Sequence, residues 1–300
     1  MKVVVLGAAA GGGFPQWNSN AEGCRRARAG DMAALARSQT GLAVSGDGET
    51  WFLLNASPDL RAQIERTPAL HPKGGLRSSP ITGVVLTGGD VDAIAGLLTL
   101  RERQPFVLHA TTRTLGALDA NPIFEVLARD VVERRGQKLD QPFALDDRLT
   151  AVLFAVPGKT PLYLEREDSA TVIATDETTV GAMISDGARR VFFIPGCAAM
   201  TPELKQRLDG ADLVFFDSTL WRDDEMIVAG LSQKTGLRMG HMSLSGDGGT
   251  LAAFADIDID QKIMIHINNS NPILLADSIE RGAVEAAGWT VAHDGLEIAL

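Results

Sequence analysis

Residues 81–102, ITGVVLTGGDVDAIAGLLTLRE, contain the pattern on which the fold depends. The first seven are mostly β-branched, which is typical of a buried strand, and apolar residues at helical spacing resume at Ala93. Two glycines separate these patterns, so Asp90 and Asp92 lie in a tight strand-to-helix loop. Their spacing lets both carboxylates point into one space beyond the strand, where open α/β sheets bind ligands. The simpler alternative is that one aspartate caps the following helix.

Two later stretches also place a polar side chain directly after a predicted strand. ADLVFF at residues 211–216 is followed by Asp217, and KIMI at residues 262–265 is followed by His266. A carboxylate at the rim of a buried sheet is costly unless it is paired or bound to a metal, and both carboxylate and imidazole groups are metal ligands. Because three strand ends carry such groups, the sequence predicts a divalent metal at a shared rim.

The composition is that of an ordinary globular protein. Hydrophobic residues make up 45% and charged residues 22% of the 300 residues, and the net charge is −10. With no long basic run, this charge argues against a nucleic-acid or anionic-membrane surface, and no stretch approaches the roughly 18 apolar residues of a membrane span. Cys24 and Cys197 are far apart, so we expect neither a disulfide framework nor a cysteine-rich zinc knuckle. The predicted location is the cytoplasm.

A glycine cluster follows the first predicted strand, Lys2 to Leu6. Its spacing is not the G-x-G-x-x-G of dinucleotide-binding turns, and Pro15 with the asparagines after it interrupts the helix that such a turn requires. We therefore expect the glycines to bring a loop close to the predicted site rather than to bind a nucleotide. Trp17 and Asn18 are then available to line the site and to contact substrate.

The remaining pattern predicts two sheets packed face to face with helices outside, an α/β (α+β layered) architecture formed by one domain over residues 1–300. Strands come first as meanders and then as strand–helix units, and this order loosely recurs after residue 140. The other predicted elements are a hairpin over 40–44 and 51–55, a helix that begins at Ser57, a strand over 106–110, an amphipathic helix over 121–135, antiparallel strands within 140–175, a hairpin over 180–184 and 190–195, and a helix capped by Thr201.

Two of the five histidines are surrounded by residues that suit a site. His266 ends a predicted strand, and the polar residues after it include Asn269 and Asn271, which could orient ligands or bind polar groups of a substrate. An asparagine-rich turn is the alternative. His241 lies between glycine-rich segments at a helix start, so it is either a ligand or proton donor, or a helix cap. His109, inside a strand pattern, is expected to be a hydrogen-bonded core histidine.

Six stretches carry a resemblance to a known family: LGAAAGGGFPQWN, LLNASPDLRAQI, GDVDAIAGLLTLRE, FFDSTLWRDDEM, TGLRMGHMSLSG and IHINNSNPIL. In this order they resemble the metallo-β-lactamase superfamily and, within it, a family of pyrroloquinoline quinone (PQQ) biosynthesis proteins. The resemblance covers nearly the whole chain. It implies an αββα metallo-β-lactamase-like sandwich with metals at one edge, which agrees with the layered architecture predicted above.

The superfamily's usual metal signature, H-x-H-x-D-H after a strand, is incomplete in this chain. The corresponding positions are Gly88, Asp90, Asp92 and Ala93, so only Asp92 matches and Asp90 substitutes for a histidine. The next histidine of the family pattern should fall near residues 155–160, where AVPGKT contains none. The resemblance therefore implies that the three-histidine half of a dinuclear zinc site cannot form.

What the resemblance retains is a mononuclear site. Asp92 stands in the signature, Asp217 in the bridging-aspartate position and His266 in the last-histidine position. His241 matches a histidine that some superfamily members use for proton transfer. The resemblance implies that Asp92, Asp217 and His266 hold the metal, with Asp90 and His241 as further ligands or as catalytic acid–base groups. An oxygen-rich, partly open site suits Fe(II) better than a structural zinc, although the isolated protein could carry Zn(II).

The N-terminal loop departs from the family in a second respect. Related proteins usually carry several cysteines there that hold a structural zinc. The equivalent stretch in this chain, NSNAEGC, retains only Cys24. We therefore expect no structural zinc in this loop.

The activity that the resemblance implies is Fe(II)-dependent, O2-using hydroxylation of the tyrosyl ring of the Glu–Tyr-derived PQQ precursor. Two alternatives remain. One is a non-catalytic carrier of PQQ or its precursor, and the other is a mononuclear metallo-hydrolase, which would work without oxygen. The implied partners are the small-molecule or dipeptide precursor, O2 and other enzymes of the PQQ pathway, with no nucleic acid and no membrane. A homodimer remains open.

Overall fold

Two mixed β-sheets form the centre of the fold, and the computed structural model describes residues 1–165 and 173–300. The strands in chain order are β1 (Lys2–Gly7), β2 (Gly41–Ser45), β3 (Trp51–Leu54), β4 (Ile81–Val85), β5 (Phe106–Thr111), β6 (Val132–Gln137), β7 (Phe143–Ala144), β8 (Thr150–Gly158), β9 (Ala174–Ser185), β10 (Arg190–Ile194), β11 (Ala211–Asp217), β12 (Ile259–Ile265), β13 (Trp289–Val291) and β14 (Glu297–Ala299). The first sheet has the order β14-β1-β2-β3-β4-β5-β6 and the second the order β13-β12-β11-β10-β9-β8-β7.

Helices lie on the outer faces of the two sheets. They are α1 (Glu22–Arg28), α2 (Leu60–Arg66), α3 (Val91–Ile94), α4 (Thr112–Asp119), α5 (Pro202–Leu208), α6 (Glu225–Val228), α7 (Gly236–Met239), α8 (Thr250–Ala253) and α9 (Ile279–Ala286). Short 3₁₀ turns occupy Pro68–Leu70, Ala95–Leu100, Pro122–Val126, Leu162–Leu164 and Pro272–Leu274. Within the described ranges, none of the helices is both long and apolar enough to cross a membrane.

Three layers of buried apolar side chains hold these elements together. Between the sheets, Phe52 of the first and Phe215 of the second belong to one continuous cluster. Leu60 of α2 packs on the outer face of the first sheet, and Leu204 of α5 and Val284 of α9 pack on the outer face of the second. Each fully buried side chain of this size contributes about 2 kcal/mol of hydrophobic stabilisation. The predicted αββα layering is confirmed.

The parallel strands bring the predicted site residues to one edge of the sandwich. β11 and β12 run parallel, and their register pairs Asp217 with Ile265, so Asp217 and His266 leave the second sheet side by side. The chain that follows β4 joins them, because the N–H of Val180 in β9 donates to the carbonyl of Thr87 at 2.9 Å. This bond ties the loop with the two aspartates of the first sheet to the second sheet.

The N-terminal glycine segment lies at the same edge. The N–H of Ile267 donates to the carbonyl of Ala8 at 3.0 Å, and the N–H of Ala10 donates to the carbonyl of Ile267 at 2.9 Å. Gly11 is so close to Asp92 that an added Cβ would lie 3.5 Å from Asp92 Oδ2. The prediction that the glycines bring a loop close to the site is confirmed.

Several predicted elements agree with the structure. The hairpin of β2 and β3, the hairpin of β9 and β10, and the helix that Thr201 caps are all present. The antiparallel strands predicted within 140–175 correspond to β7, β8 and the start of β9. Residues 166–172 of that prediction lie outside the described residues.

Two local predictions are wrong. Residues 121–135 do not form one amphipathic helix, because the 3₁₀ turn at Pro122–Val126 is followed by β6, which pairs in parallel with β5. The edge of β5 offers unpaired backbone groups, and the polar alternation of VERRGQ suits an edge strand. Ser57 does not cap α2: its hydroxyl donates to Gln63 Oε1 at 3.1 Å, and Asp59 occupies the cap position.

His109 is a buried core histidine of β5, as predicted. Its Nδ1 accepts a hydrogen bond from Gln137 Nε2 at 3.0 Å, and its ring stacks on Phe143 with centroids 5.0 Å apart. Burial, reinforced by the charge of Arg135, lowers the pKa of His109 to about 4. The folded state therefore holds the neutral ring, whereas the unfolded chain binds a proton at about pH 6.5.

We expect His109 to make the free energy of unfolding depend on pH. The stabilisation by the neutral ring is complete above about pH 6.5 and falls as the pH drops, because the unfolded state binds the proton first. Between about pH 7 and pH 5 the loss should be about 2 kcal/mol, and it should be absent from His109→Phe. Urea unfolding at both pH values measures the difference, and equal pH dependence in the two chains would contradict the prediction.

Candidate metal centre

Asp217 is a buried carboxylate at the end of β11. Its Oδ1 accepts hydrogen bonds from the backbone N–H and the hydroxyl of Thr219, at 3.0 and 2.6 Å. Its Oδ2 accepts one from the backbone N–H of Cys197 at 2.9 Å and lies 2.6 Å from Nδ1 of His241. The side chain is 0% exposed, so water cannot solvate it. The four hydrogen-bond donors compensate for that loss of hydration.

His266 follows β12 directly, in a left-handed backbone conformation with φ 56°. This conformation is uncommon for a non-glycine residue and costs roughly 1 kcal/mol or more, so the surrounding contacts must hold it. Its Nε2 lies 2.9 Å from Asp92 Oδ2, and its Nδ1 lies 2.9 Å from Thr219 Oγ1. The strained residue thus directs the imidazole ring between Asp92, in the first turn of α3 rather than in the loop before it, and Thr219, which follows β11.

The two aspartates of the first sheet's loop differ in pKa. Burial, together with the negative charge of Asp92, raises the pKa of Asp90 to about 6. Burial, the largest single effect, would also raise the pKa of Asp92, but the hydrogen bond from His266 and the charges of His266 and His241 together lower that pKa. The same pairing raises the pKa of His266 against the effect of burial. Asp92 and His266 therefore each favour the charged form of the other, beside Asp90.

Asp217, His241 and His266 can hold a divalent metal. Each offers one ligand atom, and these atoms lie within 4.8 Å of one another. The two imidazole rings are stacked, with centroids 5.2 Å apart. Two histidines and one carboxylate suit a first-row transition metal, and with open positions they are the donor set of non-haem Fe(II) oxygenases. Asp92 lies outside this group of three, and its Oδ2 is 2.9 Å from Nε2 of His266.

Thr219 connects the three residues of this group. Its Oγ1 lies 2.6 Å from Asp217 Oδ1, 3.1 Å from His241 Nδ1 and 2.9 Å from His266 Nδ1. A hydroxyl has one proton and two lone pairs, so it can donate to the carboxylate and accept from the rings, with the Nδ1–H of His241 shared between it and the nearer Asp217 Oδ2. With the proton on Nδ1 of each ring, the Nε2 lone pairs would be available to a metal, in place of the contact between His266 Nε2 and Asp92.

His241 and His266 of the candidate metal group line an inner cavity of about 140 Å³, whereas the buried Asp217 lies behind them outside its lining. Asp90 and Asp92 belong to the same lining. Lys159, which follows β8, is also part of the lining. The cavity therefore contains carboxylates, imidazoles and one ammonium group around a space that suits an ion and the reacting part of a small substrate.

An outer cleft of about 480 Å³ adjoins the inner cavity at Asp90 and Asp92. Its lining includes the apolar side chains of Val91 and Leu162 and the ring of Tyr163. The Tyr163 hydroxyl donates to the backbone carbonyl that precedes Asp90, at 2.9 Å. The two aspartates thus lie between a polar cavity and a wider, mostly apolar cleft that is open to solvent.

Comparisons with known proteins agree with this fold. Residues 50–267 match the model of a beta-lactamase superfamily domain. The coenzyme PQQ synthesis protein B of Gluconacetobacter diazotrophicus is 63% identical, over 99% of this chain and 98% of that protein. The chain belongs to the coenzyme PQQ synthesis protein B family. Another relative with this name, from a Methylobacterium species, is 54% identical over 100% of both chains.

Solved structures confirm the metallo-β-lactamase fold that the resemblance implies. The crystal structure of Zn(2+)-bound PqqB from Methylobacterium extorquens is 53% identical and covers 100% of both chains with a TM-score of 0.98. A diphosphatase of the PhnP family covers 99% of this chain and 96% of its own, with 19% identity and a TM-score of 0.71. At that identity the second similarity shows the fold alone.

Within this PQQ synthesis protein B fold, five of the predicted site residues meet. Asp92 contacts His266, and Asp217 contacts His241, while Thr219 bridges the two pairs. Asp90 lines the same inner cavity without a place in the group of three ligands. The group of three thus contains the predicted ligands Asp217 and His266 together with His241, which was predicted as a further ligand or acid–base group, whereas the predicted ligand Asp92 contacts His266 from outside the group.

The four residues predicted to contact substrate lie elsewhere. Trp17 is 85% exposed, and Asn18 is exposed beside it. Asn269 is buried and donates to the side chain of Gln16. Asn271 is buried, donates to the carbonyl of Ser218 at 2.9 Å and caps the 3₁₀ turn that follows. Both asparagines therefore support the segment after His266, in agreement with the turn that was the alternative interpretation.

Two residues of the site were missed in the sequence analysis. Thr219 stands two positions after Asp217, a spacing that lets its backbone N–H and its hydroxyl donate to the carboxylate, as in an Asx turn. Lys159 stands in the AVPGKT stretch that the family pattern marks for its lack of a histidine. Both signals were visible in the sequence, but neither identifies what the side chain contacts.

Proposed function

We propose that this chain is an Fe(II)-dependent hydroxylase that uses O2 to hydroxylate the tyrosyl ring of the Glu–Tyr-derived PQQ precursor. The observation that supports it most directly is the close group of Asp217, His241 and His266, since two histidines and one carboxylate are the donor set of non-haem iron oxygenases. The bound Zn(2+) of the Methylobacterium extorquens relative agrees with a metal site in this fold. Bound Fe(II) would supply the activation of O2.

The residues around the metal group would bind and orient the substrate. The apolar wall of Val91 and Leu162 in the outer cleft suits an aromatic ring, and the cleft ends at Asp90 and Asp92. A phenolic substrate placed there would have its O–H within reach of Asp90, which would accept the proton at a carboxylate oxygen. The partly enclosed inner cavity would limit the access of water to the reacting carbon.

The balance of the reaction defines what the assay must contain. One oxygen atom of O2 replaces a ring hydrogen as hydroxyl, and the other leaves as water. Two electrons and two protons are needed for this water, and they come from an added reductant such as ascorbate. A hydrolase would need neither O2 nor reductant, so the two activities are distinguishable by the composition of the assay alone.

The test is oxygen uptake by protein that is prepared anaerobically and loaded with Fe(II), with L-glutamyl-L-tyrosine and ascorbate as substrates. We expect uptake together with a product one oxygen atom heavier. Both should be absent from Asp92→Ala, which removes the carboxylate that holds His266, and from the Zn(II)-loaded chain. Asp147→Ala, a change of an exposed aspartate, is the matched control and should retain activity.

Two outcomes would overturn the hydroxylase. Tight binding of the dipeptide or of PQQ without oxygen uptake, with several reductants tried, would indicate the carrier. Turnover that persists without O2, giving a hydrolysed product, would indicate the metallo-hydrolase. Either result leaves the membership of the PQQ synthesis protein B family unchanged.

A further inference from the structure

We propose that Lys159 is an anion-binding residue of the inner cavity and that it binds a carboxylate of the substrate. This inference rests on the proposed function for the identity of the substrate. The Glu–Tyr-derived precursor carries several carboxylates, and a site that orients it must bind at least one of them. The observations that carry the inference concern the position, the partners and the packing of Lys159.

The position of Lys159 is unusual for a lysine. Its side chain is only 15% exposed, and it lines the same inner cavity as the carboxylates of Asp90 and Asp92. In the described part of that lining it is the one lysine or arginine side chain. Because Asp90 and Asp92 would repel an anion, a substrate carboxylate that enters the cavity is stabilised at the lysine. Lysines are rarely buried without a specific partner or role.

Lys159 shares its carboxylate partner with a second cation. Its Nζ donates to Glu165 Oε1 at 3.2 Å and to the carbonyl of Thr160 at 3.1 Å. Glu165 is shared, because Arg238 donates to both of its oxygens, at 3.3 and 3.1 Å. The hydrogen bonds from Arg238 and then Lys159 lower the pKa of Glu165 to about 2, so it stays ionised. The charge of Lys159 also lowers the pKa of Asp90 in the same cavity. Because an ammonium group has three N–H donors and the described residues accept from two of them, one donor remains for a carboxylate of the substrate.

The stem of Lys159 is held in place by the loop that carries His241. An added Cβ on Gly240 would lie 2.9 Å from Lys159 Cγ, so only glycine permits this approach, and its φ of 89° also favours glycine. The carbonyl of Lys159 accepts a hydrogen bond from the Thr179 hydroxyl at 3.2 Å. The ammonium group is thus positioned relative to His241 of the metal group, which is what a substrate-orienting residue requires.

Binding measurements on Zn(II)-loaded protein test the proposal without turnover. Calorimetry would give the dissociation constant of L-glutamyl-L-tyrosine and of its diamide, which lacks both carboxylates. We expect Lys159→Met to weaken binding of the dipeptide about 10- to 100-fold, the range for loss of one charge-assisted hydrogen bond at a desolvated site. Lys159→Arg should restore most of the affinity. Diamide binding should be the same in wild type and Lys159→Met.

A matched control removes the same charge from the surface. Lys73→Met deletes an exposed lysine that pairs with Glu49, and it should leave dipeptide binding unchanged. Zinc content and thermal unfolding, measured for every variant, detect a general loss of structure. The proposal is overturned if wild type does not bind the dipeptide, if Lys159→Met binds it as tightly as wild type, or if the diamide loses affinity equally.

The same proteins separate this proposal from the proposed function. Lys159→Met could weaken dipeptide binding selectively while Fe(II)-loaded wild type consumes no O2 with the dipeptide. This result would support the anion site and contradict the hydroxylase activity. Wild type and Lys159→Met could instead both hydroxylate the dipeptide with the same KM. This result would support the hydroxylase activity and contradict the anion site.

Discussion

Asp217→Asn is expected to remove the bound metal and with it all oxygen uptake. The four groups that face this carboxylate are the N–H of Cys197, the N–H and hydroxyl of Thr219, and Nδ1 of His241. Each of them can donate a hydrogen bond, so the site requires a group that only accepts. Asparagine would turn an NH2 group toward a donor and would carry no charge for the metal.

The expected effect has two parts that are measured separately. Metal affinity, from competition with a coloured chelator, should fall by more than about 100-fold, because loss of residues that only support metal ligands already costs 10- to 100-fold. Urea unfolding of the chain without added metal should show a loss of about 3 kcal/mol, since a buried charged acceptor is replaced and a donor is left unpaired.

A control on the same strand separates the loss of the site's carboxylate from a general effect of an Asp-to-Asn change in β11. Asp212 of β11 accepts hydrogen bonds from Arg189 and from the backbone N–H of Arg190, and it is 16% exposed. Asp212→Asn should cost about 1 kcal/mol or less and leave metal affinity unchanged. If Asp217→Asn kept stoichiometric metal and full oxygen uptake, the assignment of Asp217 to the metal group would be wrong.

The strand ends explain how much of the site could be predicted from the sequence. Asp92, Asp217 and His266 each follow a strand, and parallel strands carry their ends to a common edge, so their meeting could be expected from the order of elements alone. The register that pairs Asp217 with Ile265 then brings His266 beside it. The hydrophobic runs predicted these strands because buried parallel strands are continuously apolar.

Residues on loops were harder to place. His241 reaches Asp217 from a loop whose path depends on Gly240, and no local pattern gives the direction of such a loop. Lys159 also lies on a loop, the one that follows β8, and the sequence does not show that this loop leads its side chain into the cavity. The helix predicted over 121–135 failed because the edge of β5, which is distant in sequence from most of the segment, decided its conformation. The periodicity of a segment does not show which strand of the tertiary fold, here β5, will pair with it.

Thr219→Val should weaken metal binding although every metal-binding side chain remains. Valine has nearly the shape of threonine, so the change removes one oxygen and little volume. That oxygen contacts Asp217 Oδ1 and the Nδ1 atoms of His241 and His266. Without it, His266 loses the contact that favours the proton on Nδ1 and can turn or take the other tautomer, which makes its Nε2 a poorer ligand.

We expect metal affinity in Thr219→Val to fall about 10- to 100-fold, with a loss of about 1–3 kcal/mol in the free energy of unfolding because buried polar groups lose their partner. Thr219→Ser retains the hydroxyl and should recover most of the metal affinity even if its lost methyl group lowers stability. If metal affinity follows the hydroxyl while the free energy of unfolding follows the methyl group, Thr219 orients the rings through its hydroxyl rather than by packing. Equal metal affinity in wild type, Thr219→Ser and Thr219→Val would show that the hydroxyl only packs, and the rings would then owe their orientation to Asp92 and Asp217 alone.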